Sequence, residues 1–259
     1  GRGVRRLKPG DRVYVYPGVW CGQCPACRAG AENLCRGMQI MGFHRDGGFG
    51  PHVTVPAQSV IPLPARLAFE EAVLAEPLSC VLNALELGRL QAGEHFGIWG
   101  AGPAGTLLAR AAQALGAHPQ NIEPDRRRRE LIGGLEKPGD VRFDVAVVAV
   151  GDQGAYREAL AHLAPRGRLV VFSGLPPDDD GPAVSFNQLH YLEQTLVGAY
   201  GCCYRHGREA LALIAEGHVP VTDMISHRLP LLKLDEALSL VAARAGMKIL
   251  LDPWQEENA

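Results

Sequence analysis

The 259-residue sequence has no basic excess, since 26 lysines and arginines face 28 acidic residues for a net charge of −2. A nucleic-acid backbone is held by clustered cations, so a small-molecule ligand is the better expectation and no nucleic-acid partner is expected. No apolar run approaches the roughly 20 residues of a membrane span. Nor does any charged-then-apolar leader resemble a secretory signal. A soluble, cytoplasmic protein without a membrane partner is expected. The chain has no internal repeat and no low-complexity tract beyond short Arg and Asp runs. Its seven cysteines do not have the distribution of a disulfide-stapled secreted scaffold, because four of them fall within fifteen positions. Of nine histidines, none stands at ligand spacing from another donor in a way that marks a new metal site, His206 beside Cys202 and Cys203 coming nearest.

What is present is apolar content of 47%, enough for real cores and, at this length, for two domains. The run Phe96-Gly-Ile-Trp99 meets Gly100-Ala-Gly102-Pro103-Ala104-Gly105, and the turn opens directly into an alanine- and leucine-rich segment, Thr106 to Leu115. A strand, a Gly-x-Gly-x-x-Gly turn and a helix in that order form the opening unit of a dinucleotide-binding domain. Gly100 permits the tight turn, Gly102 leaves room for a pyrophosphate, and Gly105 lets helix and strand pack closely. The free N–H groups of the helix start face the anion.

Upstream, Leu7 to Tyr16 reads as a Pro-Gly turn into alternating β-formers. Cys21, Cys24 and Cys27 follow, then seven residues, then Cys35. Four thiols at this spacing can close a tetrahedral Zn²⁺ site, with Gly22, Pro25 and Gly30 supplying turns. With no open position, such a zinc is structural. The alternatives are a redox Cys-x-x-Cys pair or unrelated core thiols. The glycine-rich stretch 47–50 is expected to turn into a strand through Pro56, with another short strand at 60–64. From Phe69 to Leu90 the pattern becomes helical, as a linker helix between domains would be.

Lys8-Pro-Gly-Asp-Arg-Val13, the four-cysteine lobe, Asp46-Gly-Gly-Phe49, Glu76-Pro-Leu-Ser79 and Gly100-Ala-Gly-Pro-Ala-Gly105 stand in the order found in the zinc-dependent medium-chain alcohol and polyol dehydrogenases. The sequence resembles their sorbitol-dehydrogenase-like branch over essentially its whole length. The resemblance implies an α/β protein: a Rossmann domain at 79–226 and a mainly-β GroES-like catalytic domain at 1–78 and 227–259, N-terminally incomplete. It implies NAD(P)-dependent oxidation of an alcohol or polyol to a carbonyl, and the reverse, by zinc-assisted hydride transfer in the full-length protein. Glu76 is the candidate catalytic residue and ligand of the catalytic zinc, directly or through water, with a plain helix-N-terminal acid as the alternative. The other catalytic ligands belong in the family to a segment before the first strand, so this chain alone is expected to be inactive. His44 and His52 either face the substrate or are ordinary polar positions.

The resemblance also places coenzyme contacts at Gly100, Gly102, Pro103, Ala104 and Gly105, and at Gly151 and Gly174 after two later strands. Glu123 stands where the family's acid holds the adenosine ribose, about 20 residues past the glycines, which favours NAD. Arg126 to Arg129 keep NADP open, or form a solvated helix turn. Residues 119–124 are poor in β-formers and carry a proline where a central strand is expected, and 133–140 are too short for a third strand and its helix. A last strand at 195–201 implies a homo-oligomer, dimer or tetramer, paired through that edge. Two further readings stand beside the dehydrogenase: a zinc-free quinone or enone reductase, against which the four cysteines argue, and a nucleotide-binding or structural relative without a catalytic metal.

Overall fold

The computed structural model describes residue 1 and residues 3–255. The chain divides into two compact units, Gly1–Ser79 with Cys202–Ala259, and Cys80–Gly201. Residues 256–259 of the expected returning segment lie outside the described residues.

The first unit holds β1 (Val13–Val15), β2 (Gly18–Val19), α1 (Pro25–Arg28), β3 (Gln39–Ile40), β4 (Val60–Pro62), α2 (Phe69–Ala72) and the start of α3 (Ala75–Leu87). β1 pairs antiparallel with β4, and β2 with β3. No strand forms over 51–56, where the glycine-rich turn was expected to lead into one. A turn alone makes no ladder, and this stretch pairs with no described strand.

The second unit continues with β5 (His95–Trp99), α4 (Pro103–Ala114), β6 (His118–Ile122), α5 (Arg126–Ile132), β7 (Phe143–Val148), α6 (Gln153–Ala161), β8 (Leu163–Val171), α7 (Phe186–Tyr191) and β9 (Thr195–Gly198). Its five strands form one parallel sheet in the order β6-β5-β7-β8-β9. The continuous apolar run of β7 is what a strand covered on both faces requires, and Val145, Ala146, Val147 and Val148 are all fully buried. Trp99, Ile122, Phe143, Tyr156 and Leu169 pack as one core cluster. The third strand is reduced to a single bridge between Leu135 and Ile122. β6 is therefore an edge strand, which explains how it tolerates Pro119.

The chain then re-enters the first unit with α8 (Tyr204–Ala215), β10 (Ile225–Pro230), α9 (Leu234–Ala242) and β11 (Lys248–Asp252), β10 and β11 pairing in parallel. The expected boundary at 226/227 thus lies at 201/202. The cause is tertiary: Tyr16 donates its hydroxyl to the Cys202 carbonyl at 2.6 Å, and Tyr204 donates to the Val60 carbonyl at 3.1 Å. Gly207 faces Ile61 and Tyr14 so closely that a Cβ there would lie 3.3 Å from each. Among the described residues no helix is long and apolar enough to cross a membrane.

Candidate coenzyme and metal sites

The glycine turn is built as its residue types demand. Gly100 takes φ +121°, a conformation that side chains oppose. A Cβ on Gly105 would overlap the Gly100 carbonyl oxygen, so this glycine is required by the close approach of helix and turn. Gly102 is different, because a Cβ there would meet only Arg128 Nη1, at 3.8 Å. Its missing side chain leaves space open beside the start of α4, whose first residue is Pro103, followed by Ala104. Proline suits that position, since the N–H it lacks would find no partner inside the helix.

Glu123, directly after β6, is buried at 8% exposure and accepts hydrogen bonds from Ala101 N at 2.8 Å and Asp125 N at 3.0 Å. One carboxylate therefore ties the glycine turn to the start of α5, where Asp125 caps the helix by accepting from Arg128 N. The four arginines divide. Arg126 pairs with Glu130, while Arg129 donates to the Glu123 and Pro124 carbonyls and is largely buried against Glu136. Arg128 is the one that reaches the glycine turn. Gly151 and Gly174 are brought together: a Cβ on Gly151 would come 2.8 Å from the Gly174 oxygen.

Asn121 is a site residue that sequence reasoning missed. Its side-chain amide donates to the Gly100 and Gly105 carbonyls at 2.9 and 3.1 Å, pinning both ends of the turn from the neighbouring strand. An asparagine two positions before the acid, at the buried end of a parallel strand, was the available signal.

In the first unit, Cys21, Cys24, Cys27 and Cys35 place their sulfurs within 4.8 Å of one another, and no other group of three or more potential ligands occurs among the described residues. Three of the pairs stand at 3.5, 3.5 and 3.9 Å. Sulfurs about 2.3 Å from a tetrahedral zinc lie about 3.8 Å apart, so the group fits Zn²⁺. Backbone N–H groups of Cys27 and Arg36 lower the Cys24 thiol to about 6, whereas desolvation raises Cys27 to about 12. Cys21 is lowered chiefly by the N–H of Gln23.

Glu76 stands in the first turn of α3. Its side chain meets solvent, yet protein crowds it enough for desolvation to raise its carboxyl above the usual range, with the positive charge of Lys248 opposing. Among the described residues it joins no cluster of metal donors. His44 accepts from Ile40 N at 3.1 Å, and His52 stacks edge-on against Trp254. His206 is fully buried and accepts from Cys203 N at 3.0 Å, a helix-start role.

Residues 1–65 match the profile of the alcohol dehydrogenase GroES-like domain. The chain is 31% identical to the 2-dehydro-3-deoxy-L-galactonate 5-dehydrogenase of Pseudoalteromonas atlantica, over 97% of this chain and 78% of that protein. It is 32% identical to the sorbitol dehydrogenase of Bacillus subtilis, over 87% of this chain and 70% of that protein. The chain belongs to the zinc-dependent medium-chain alcohol and polyol dehydrogenases. Solved structures of this family match it throughout. A zinc-binding dehydrogenase from Sinorhizobium meliloti bound to NADP superposes with a TM-score of 0.90 at 27% identity, covering 98% of this chain and 80% of that one. An alcohol dehydrogenase from a Thermus species gives 0.87 at 27% identity, over 97% and 80%. As in other medium-chain dehydrogenases, a GroES-like unit and a Rossmann-type parallel sheet share the chain.

Proposed function

We propose that this chain carries the coenzyme-binding domain and the zinc-lobe-bearing catalytic domain of a dehydrogenase that oxidises a secondary alcohol of a polyol or sugar acid, reversibly, with NAD as preferred acceptor. The observation that carries the reading is the closed turn at Gly100–Gly105, held by Glu123 and Asn121 beside the open space at Gly102. The first α4 N–H groups point at that space and favour an anion there. Gly102, Pro103 and Ala104 bind the pyrophosphate, Glu123 accepts from the adenosine ribose with the lone pairs its backbone partners leave free, and Gly151 and Gly174 line the strand ends.

A catalytic zinc held in part by Glu76 would supply Lewis-acid polarisation of the alcohol oxygen, and a nicotinamide coenzyme held at Gly100–Gly105 would supply the acceptor for the carbinol hydride, with the hydroxyl proton passing to solvent. Glu76 supplies one carboxylate for that metal or its water, with the positive charge of Lys248 opposing the desolvation that raises its carboxyl. Cys21, Cys24, Cys27 and Cys35 hold a separate, closed zinc that shapes the catalytic domain. NAD is preferred because a carboxylate at Glu123 repels a 2′-phosphate. Arg128 is the residue that makes NADP a usable second coenzyme. The names of the relatives, covering a polyol and a sugar acid, support the substrate class. Free thiols suit the cytoplasm, and β9, at the edge of its sheet, suits pairing with a second copy. Calorimetric titration of NAD against NADP into the chain and its Glu123→Ala variant tests the reading: the wild type should prefer NAD, and the variant should lose most of that preference. An unchanged preference would contradict the assignment of Glu123.

A further inference from the structure

The four-cysteine lobe directs several of its groups at one segment, Cys203 and Tyr204 at the start of α8. Glu32 Oε1 accepts from Tyr204 N at 2.8 Å, placing a carboxylate at the positive end of α8. Cys203 Sγ lies 3.1 Å from Asn33 Oδ1 and 3.3 Å from the Gly30 oxygen. Trp20, next to the first lobe cysteine, packs its ring 5.7 Å from that of Tyr204. Gly30, Glu32 and Asn33 all lie in the loop between Cys27 and Cys35, the two ligands whose joint capture by one metal ion would fix that loop's ends.

The other side of the same segment touches the turn that carries Glu76. Ser79 Oγ is 2.9 Å from Cys202 Sγ and 2.6 Å from the Glu76 backbone oxygen. Ser79 is fully buried, Cys202 is 5% exposed and Cys203 2% exposed. Contacts thus run without a gap from the Cys27–Cys35 loop through residues 202–204 to the first turn of α3.

We propose that the lobe is a latch: zinc in it holds Cys202–Tyr204 in place and, through Ser79, positions the first α3 turn and its Glu76. Glu32 and Ser79 are positioning residues. The inference rests on the proposed role of Glu76 only for its catalytic consequence, because the latch itself is a matter of packing. Releasing the metal frees both ends of the 27–35 loop, so the α8 cap and the Cys203 contacts go with it. The two buried thiols then become reactive while the second unit is untouched.

The test is cysteine alkylation by iodoacetamide, read residue by residue by mass spectrometry, on the full 259-residue chain with one zinc bound and again after chelation. Cys80 in α3, partly exposed, is the internal reference. Chelation should raise labelling of Cys202 and Cys203 about tenfold or more, the effect of losing hydrogen bonds worth about 1.4 kcal/mol, with Cys80 labelling and NADH binding unchanged. Glu32→Ala, with all four ligands and the metal retained, should raise Cys203 labelling several-fold by itself. Continued protection of Cys202 and Cys203 after the lobe cysteines have been labelled would overturn the latch. So would a rise shared equally by Cys80 with loss of NADH binding, which is global unfolding. Failure of the catalytic reading would show separately, as a full-length enzyme indifferent to Glu76→Gln with the labelling pattern intact.

Discussion

Glu123 and Ala101 are joined across the coenzyme turn by a 2.8 Å hydrogen bond from the Ala101 N–H to the carboxylate. The acid that family resemblance assigns to the coenzyme therefore also closes the turn that the coenzyme would use. Glu123→Ala removes the acceptor of two backbone N–H groups, each bond to a charged group being worth about 1.5–3 kcal/mol. We expect a loss of about 2–4 kcal/mol in the stability of the second unit, measured by denaturant unfolding followed through Trp99. Glu123→Gln keeps an acceptor and should recover at least half. Equal stability of wild type and Glu123→Ala would show that the carboxylate does not hold the turn.

Asn121→Leu tests the other brace. It removes the donor shared by the Gly100 and Gly105 carbonyls. Taking that donor from the two carbonyls costs about 1–3 kcal/mol, so thermal stability should fall even though a leucine suits a buried strand better. A more stable variant would mean that solvent satisfies those carbonyls.

How much of this was legible in the sequence follows from how local each feature is. The glycine turn and the four cysteines are each written within fifteen consecutive residues or fewer, and locally the first folds into a strand-to-helix turn while the second gathers its four sulfurs. Asn121 and Arg128 act across the fold, on glycines some 16 to 26 positions upstream, so only weak signals mark them. Pro119 argued against a strand that exists, because the loss of the third strand had turned β6 into an edge. The return to the first unit at Cys202 was hidden for a similar reason: Tyr16, Val60 and Ile61, which hold that segment, lie some 140 to 190 residues upstream.

Zinc uptake by the lobe should release protons. Thiolates bind the metal, and with Cys27 raised to about 12 its proton must leave at pH 7.5, whereas Cys24, at about 6, is already ionised. Calorimetry in two buffers of different ionisation enthalpy should give at least one proton per zinc at pH 7.5. The number should rise and the affinity fall as pH drops through 6, where Cys24 also takes up a proton. No proton release at pH 7.5 would contradict the donor set.

The 259-residue polypeptide itself should bind NADH but show no zinc-dependent alcohol oxidation. A catalytic zinc takes three protein ligands and an open position, and apart from the four-cysteine lobe the described residues bring no three donors together. In any form of the protein that oxidises polyols, Glu76→Gln should lower kcat at least tenfold. Turnover by these 259 residues alone would refute this expectation.

The most direct measurement compares two glycines of the turn. A side chain at Gly105 collides with the Gly100 carbonyl, while one at Gly102 enters open space. Gly102→Asn keeps a favourable helix cap and should leave stability within about 0.5 kcal/mol, whereas its side chain occupies the proposed pyrophosphate position. Titration with NADH, followed by calorimetry, should show binding weakened about 100-fold or more, or about 2.7 kcal/mol, in a variant that unfolds at the wild-type temperature. Wild-type NADH affinity in Gly102→Asn would contradict the account.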